Sequence, residues 1–186
     1  MIINFEILRE VDVSKEVCLW NTWDHEHLFF VHRQFKFAKI IFEDSNVAFI
    51  KTQIKAPFLP LYFSCLHTMT SLNNGDVLVI DTLPFGIFIK LEMRYREIGP
   101  KKTILHNLYS LNIPFFFYPI KSFLPKMIQK WNDTNWEEDM PLKLRRQQAI
   151  DLGFRDFYGR DLKGSISRPH IKLPLPRTKN SVLNIK

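Results

Sequence analysis

The chain has 186 residues, 46% of them apolar and 14% aromatic, including seventeen Phe, and a formal charge of +7. That length suits one domain with a core large enough to fold unaided, and the composition excludes a disordered protein. Two cysteines, Cys18 and Cys65, exclude a disulfide scaffold, a four-cysteine zinc site and a self-contained iron–sulfur cluster, and they fit a reducing cytoplasm.

The opening "MIINFEILREVDVSKE" lacks the charged start and uninterrupted apolar run of a signal peptide, and no apolar stretch approaches membrane-spanning length. A soluble, cytoplasmic protein is expected. "NFEILREVDVS" alternates loosely and predicts a first strand. "SKEVCLWNTWDHEHLFFVH" places Val17, Trp20, Trp23, Leu28 and Val31 at an imperfect helical period behind Ser14, a residue suited to capping, and predicts one or two short helices.

From Phe35 the texture changes to period two, with β-branched and aromatic residues between turn signals. "FKFAKIIFE", "VAFIKTQIKA", "LYFSCLHTMTSL", "VLVIDTL", "IFIKLEMRYREI" and "TILHNLYSLNI" predict about six consecutive antiparallel strands joined by short turns. After Pro119 the helical period returns. Phe123, Leu124, Met127, Ile128 and Trp131 form one stripe, and a second helical stretch covers Trp136 to Leu152, with Thr134 and Glu137 in capping-box spacing. Pro141 removes an amide donor, so a kink or restart is expected there.

Beyond Gly153 the sequence loses periodicity and carries eight Lys or Arg against Asp156 and Asp161, which accounts for most of the basic excess. The reading is a domain over 1–152 followed by a basic extended tail over 153–186. No aromatic-plus-basic strand motif accompanies the charge, so nucleic acid is not an expected partner.

Three of the six histidines, His25, His27 and His32, stand in "NTWDHEHLFFVHRQF". One metal ion at about 2.1 Å from each nitrogen holds its ligands roughly 3 Å apart. On a straight helix His25 and His32 share a face but lie about 10 Å apart along the axis, and His25 and His27 point to nearly opposite sides. His27 and His32 stand about 140° apart on a regular helix, so they converge only if the helix ends, widens or unwinds between them.

The order strand, helices, six strands, long helix resembles the helix-grip architecture of the START-like, or SRPBCC, superfamily: an α+β fold in which a curved antiparallel sheet of about seven strands wraps a long C-terminal helix. Its members hold a hydrophobic cavity between sheet and helix. Asn21, Asp24, His27 and His32 also resemble the Asp-x-x-His-x-x-x-x-His pattern of the catalytic domain of Rieske non-haem iron oxygenases, which has the same fold. The resemblance implies that His27 and His32 bind a mononuclear Fe(II). It further implies that Asp24 bridges toward a neighbouring cluster and that Asn21 and Asp24 orient the histidines.

The family's third ligand is an Asp on the C-terminal helix, and "NWEEDMPLKLRRQQ" offers Asp139 in a similar context, with Glu137 and Glu138 as fallback donors. The Rieske domain with its Cys and His ligands is absent from this chain, so turnover would draw electrons from a separate partner protein. The expected function is therefore oxygenase-like, acting on a small hydrophobic, for instance cyclic, substrate. The alternative is a metal-free carrier of a hydrophobic ligand. His67 and His106, within strands, are expected to be surface or hydrogen-bonded residues, and His170 falls in the tail. Phe85, Phe88 and "PFFFYP" are candidates to line the cavity, and "RYR" and "LRRQQ" read as solvated faces.

Overall fold

The computed structural model describes residues 1–44, 46–55, 61–72 and 75–154, and the backbone of 182–185. Its strands are β1 (Ile2–Val11), β2 (Phe35–Glu43), β3 (Val47–Lys55), β4 (Tyr62–Ser71), β5 (Val77–Leu83), β6 (Ile87–Gly99), β7 (Lys102–Asn112) and β8 (Val182–Ile185). They form one antiparallel sheet in the order β2-β3-β4-β5-β6-β7-β1-β8. The helices are α1 (Lys15–Trp23), α2 (His27–Val31) and α3 (Leu124–Asp151). This is the expected helix-grip fold, with β8 added. That strand lies in the aperiodic tail; residues 155–181 and 186, His170 among them, lie outside the described residues.

Alternation explains the sheet. Along β7 every second residue from Thr103 to Leu111 is buried, and along β1 so are Phe5, Ile7, Arg9 and Val11. One face of each strand therefore turns inward, where α3 covers it. Trp136 and Met140 of α3 pack with Val11, Ile50, Val79 and Leu105, while Leu124 and Ile128 pack with Phe5, Ile7 and Leu111. A third cluster, Phe35, Ile54 and Cys65, gathers Leu28 and Trp131 beneath α2. Each fully buried aliphatic side chain contributes about 1.5–3 kcal/mol.

The expected restart at Pro141 and the Thr134 cap are corrected. α3 runs as a single helix through Pro141, and Thr134 sits inside it, donating to the Lys130 carbonyl at 3.0 Å instead of capping a new start. Packing of Trp136 before the proline and Leu144 after it holds both sides against the same cluster, which outweighs the lost amide bond. α1, by contrast, starts as expected: Ser14 Oγ accepts from the Val17 amide at 3.3 Å.

Candidate metal centre

α1 ends at Trp23, and α2 begins at His27 and ends before His32, whose backbone is extended (φ −95°, ψ 118°). The helix thus stops where a regular one would hold the two imidazoles apart. His27 and His32 turn toward each other, ring centroids 5.2 Å apart, and Asp139 approaches from the middle of α3. Asp139 Oδ1 lies 3.3 Å from His27 Nε2 and 3.1 Å from His32 Nε2, and one donor atom from each of the three residues lies within 4.8 Å of the others. All three residues are buried.

The outer nitrogen of each imidazole is already engaged. His27 Nδ1 contacts the Asp24 carbonyl, and His32 Nδ1 lies 3.1 Å from Glu138 Oε2. A carbonyl only accepts, so His27 carries its proton on Nδ1; a carboxylate places the His32 proton likewise. In the neutral rings both Nε2 atoms are then bare lone pairs aimed at a carboxylate oxygen, and Oδ1 reaches hydrogen-bond geometry with no partner. Three acceptors facing one another need a cation or extra protons between them. Cis ligands about 2.1 Å from a first-row ion stand about 3.0 Å apart, close to the 3.1 and 3.3 Å found. Two imidazoles and one carboxylate suit a divalent ion with open positions, so these residues fit the expected group.

The other carboxylate oxygen is held on both sides. Oδ2 accepts from Asn21 Nδ2 at 2.8 Å and from Lys143 Nζ at 2.6 Å. Burial alone would raise this carboxyl, but the Lys143 ammonium, joined by His27 and His32 when these carry a proton on Nε2, holds it well below the usual carboxylate range. Burial pushes the Lys143 ammonium down, against the pull of Asp139, and the ammonium lies 3.5 Å from the Trp136 ring centroid. Arg146 donates to Asn21 Oδ1 at 2.7 Å and pairs with the Asp24 carboxylate.

Several expectations change accordingly. Asn21 contacts the carboxylate, whereas the resemblance had it orienting the imidazoles. Asp24 supports His27 through its backbone carbonyl, and Arg146 occupies the side chain that the resemblance aimed at a cluster. Glu138 braces His32, and Glu137 is exposed. "LRRQQ" is no solvated face: Arg146 and Gln147 are buried, and Gln147 Oε1 accepts from the Ser14 amide at 2.8 Å. In "RYR" the central Tyr95 is buried too. Sequence reasoning missed Lys143 and Arg146, although their spacing of four and seven from Asp139 puts all three on one helical face.

His67 is hydrogen-bonded, between Asp81 Oδ1 at 2.6 Å and Thr52 Oγ1 at 2.7 Å, and Cys65 lies beside it. Burial opposes its charge, but Asp81 prevails and its pKa is pushed up to about 10. His106 bonds Glu6 at 2.9 Å. Phe85, Phe88, Phe115 and Phe116 are exposed, so they line no interior cavity; a cleft of about 480 Å³ lies instead beside α2, bounded by His25, Glu26, Phe29, Phe30, Ala38 and Ile40.

No family model matches the sequence, and neither does any curated protein. Solved structures share the fold. The ZhuI aromatase/cyclase from Streptomyces sp. R1128 aligns with a TM-score of 0.61 and 9% identity over 81% of this chain and 96% of its own. A START superfamily protein from Mycobacterium smegmatis aligns at 0.60 and 10% over 80% and 99%. Norcoclaurine synthase from Thalictrum flavum, in complex with a transition-state analogue, aligns at 0.61 and 12% over 78% and 96%. The three share this chain's fold, and the Mycobacterium protein is described as a START superfamily member; the likeness to Rieske oxygenases rests on residues 21–32 and 139 alone.

Proposed function

We propose that this chain binds an apolar small molecule beside one divalent metal ion, iron(II) by its donor set, held by His27, His32 and Asp139. The supporting observation is the meeting of two imidazole Nε2 atoms with a buried carboxylate oxygen that has no hydrogen-bond partner. When bound, such an ion would supply the activation of dioxygen for oxidising an apolar substrate. The protein's own residues do the positioning. Asp24 and Glu138 fix the tautomers of His27 and His32, and Asn21 and Lys143 fix the rotation of Asp139 so that Oδ1 faces inward. Burial of the three ligands excludes water from them.

Support for a small aromatic ligand comes from the fold neighbours, which include an aromatase/cyclase and a norcoclaurine synthase solved with dopamine and hydroxybenzaldehyde. The cleft beside α2 has the size small-molecule sites use and is lined by Phe29, Phe30, Ala38 and Ile40, with none of the three ligand residues in its wall. The resemblance to Rieske oxygenases, whose cluster-binding Cys and His motifs this sequence lacks, would assign the electrons for oxygen chemistry to a separate donor protein.

A metal-free carrier is the second reading. The Lys143–Asp139 pair favours it, because protons on the imidazoles together with that ammonium can satisfy the carboxylate without an ion. Metal analysis of protein purified without chelators distinguishes the two. About one iron per chain, lost in His27→Ala, supports the metal reading; metal-free protein that yields an apolar ligand on extraction supports the carrier.

A further inference from the structure

One end of the sheet gathers the β3–β4, β5–β6 and β7–α3 connections, because Lys55 pairs with Tyr62, Leu83 with Ile87, and Phe88 with Asn112. Described residues at this end touch one another. Phe63 and Phe85 pack edge to face at 6.2 Å, and a Cβ on Gly86 would stand 4.0 Å from Pro114. At this end the aromatic side chains point outward. Phe115 is 85% exposed, Phe85 65% and Phe116 54%, and Tyr118, Ile120 and Phe123 continue the same apolar rim.

Phe85 is held at φ 64°, the left-handed region a bulky residue rarely adopts, and it is still exposed. Among the described residues, packing against Phe63 covers only part of this outward-facing aromatic, so the strain is little repaid there.

The charge around the rim has one sign. Residues 82–91 and 113–132 contain Lys90, Lys121, Lys126 and Lys130 and no carboxylate. Lys121 lies 4.0 Å over the Tyr118 ring, and Lys36 lies 5.1 Å over Tyr62. A partner must therefore be negative and able to take up aromatic rings. The chain's own basic tail has the wrong sign, whether in the same molecule or in a second copy. Aromatic tips flanked by lysines match the border between anionic headgroups and acyl chains. No described helix is long and apolar enough to cross a membrane, so contact would be with the surface.

We propose that the rim formed by Phe85, Phe115, Phe116, Tyr118 and Phe123, with Lys121, docks this protein on an anionic lipid surface. The inference is independent of the metal centre, since no residue of the rim takes part in it.

The test is flotation of the full-length protein with vesicles of phosphatidylcholine, and of phosphatidylcholine mixed with phosphatidylglycerol. Binding is expected to the mixed vesicles, falling with salt, and weak binding to the neutral ones. Phe115→Ser with Phe116→Ser should lower partitioning at least roughly ten-fold, and Lys121→Ala roughly five-fold. Both phenylalanines are exposed, so the fold should survive, and an unchanged thermal transition checks this. Absence of binding to either vesicle overturns the proposal. So does binding that the Phe115/Phe116 variant retains in full, which would assign lipid contact to the basic tail, or capture of an acidic protein by a rim that ignores lipid.

Discussion

Lys143 places its ammonium 2.6 Å from Oδ2 of Asp139 and leaves Oδ1 of the same carboxylate to His27 and His32. Both partners are buried, so each would be a severe liability alone. Lys143→Met should therefore cost about 3–5 kcal/mol in the metal-free protein. A divalent ion stabilises the folded variant by binding only the native state, and should return a substantial part of that loss. Unfolding of wild type and variant with and without added iron(II) or zinc measures this. A deficit that metal leaves unchanged would mean that Asp139 takes no cation.

His32 reaches the centre from the end of α2, and what fixes its ring is Glu138, 3.1 Å from Nδ1. Without that acceptor the ring can rotate or change tautomer, and Nε2 no longer presents its lone pair inward. Glu138→Ala should weaken metal binding by roughly 10- to 100-fold. Stability should fall by about 1–2 kcal/mol, because the Nδ1–H of buried His32 loses its acceptor. Metal titration followed by calorimetry reads both quantities, and unaltered affinity would remove Glu138 from the site.

The sheet was legible because its chemistry is local. β2 and β5 begin and end where alternation and turn residues put them, and Asp44 Oδ1 closes the turn between β2 and β3 by accepting from the Asn46 and Val47 amides. His27 and His32 were legible as a pair that only a broken helix could unite. The network behind them was not, because Lys143 and Arg146 look like any solvated helix face until Asp139 and Asp24 are placed opposite them. The outward turn of Phe85 and Phe115 was hidden for the converse reason: aromatic residues usually signal a core, and only packing tells whether a neighbour covers them.

The His67–Asp81 pair gives a pH dependence with a definite sign. The folded pKa of His67, about 10, stands above the ordinary value of 6.5, so the stabilisation is complete below about pH 6.5 and is lost as pH rises through 10. Asp81→Asn keeps the shape and removes the charge. It should destabilise the protein by about 2 kcal/mol near pH 6 and by much less above pH 10. Denaturant unfolding at the two pH values tests this, and an imidazole NMR titration of His67 near neutrality in the wild type would contradict it.

Pro141 lies two residues beyond Asp139 in the interior of α3, where its ring nitrogen cannot donate to the carbonyl of Glu137. A proline inside a helix is about 3 kcal/mol less favourable than alanine, and here the helix continues regardless because Trp136, Met140 and Leu144 pack on the sheet. Pro141→Ala restores the missing donor, and should raise stability by about 1–3 kcal/mol. The orientation of Asp139 depends on Asn21 and Lys143, which the substitution leaves in place, so metal affinity should hold within about two-fold while the melting temperature rises. If stability rises and affinity collapses, the proline bends the helix to aim the carboxylate, and Asn21 and Lys143 only follow it.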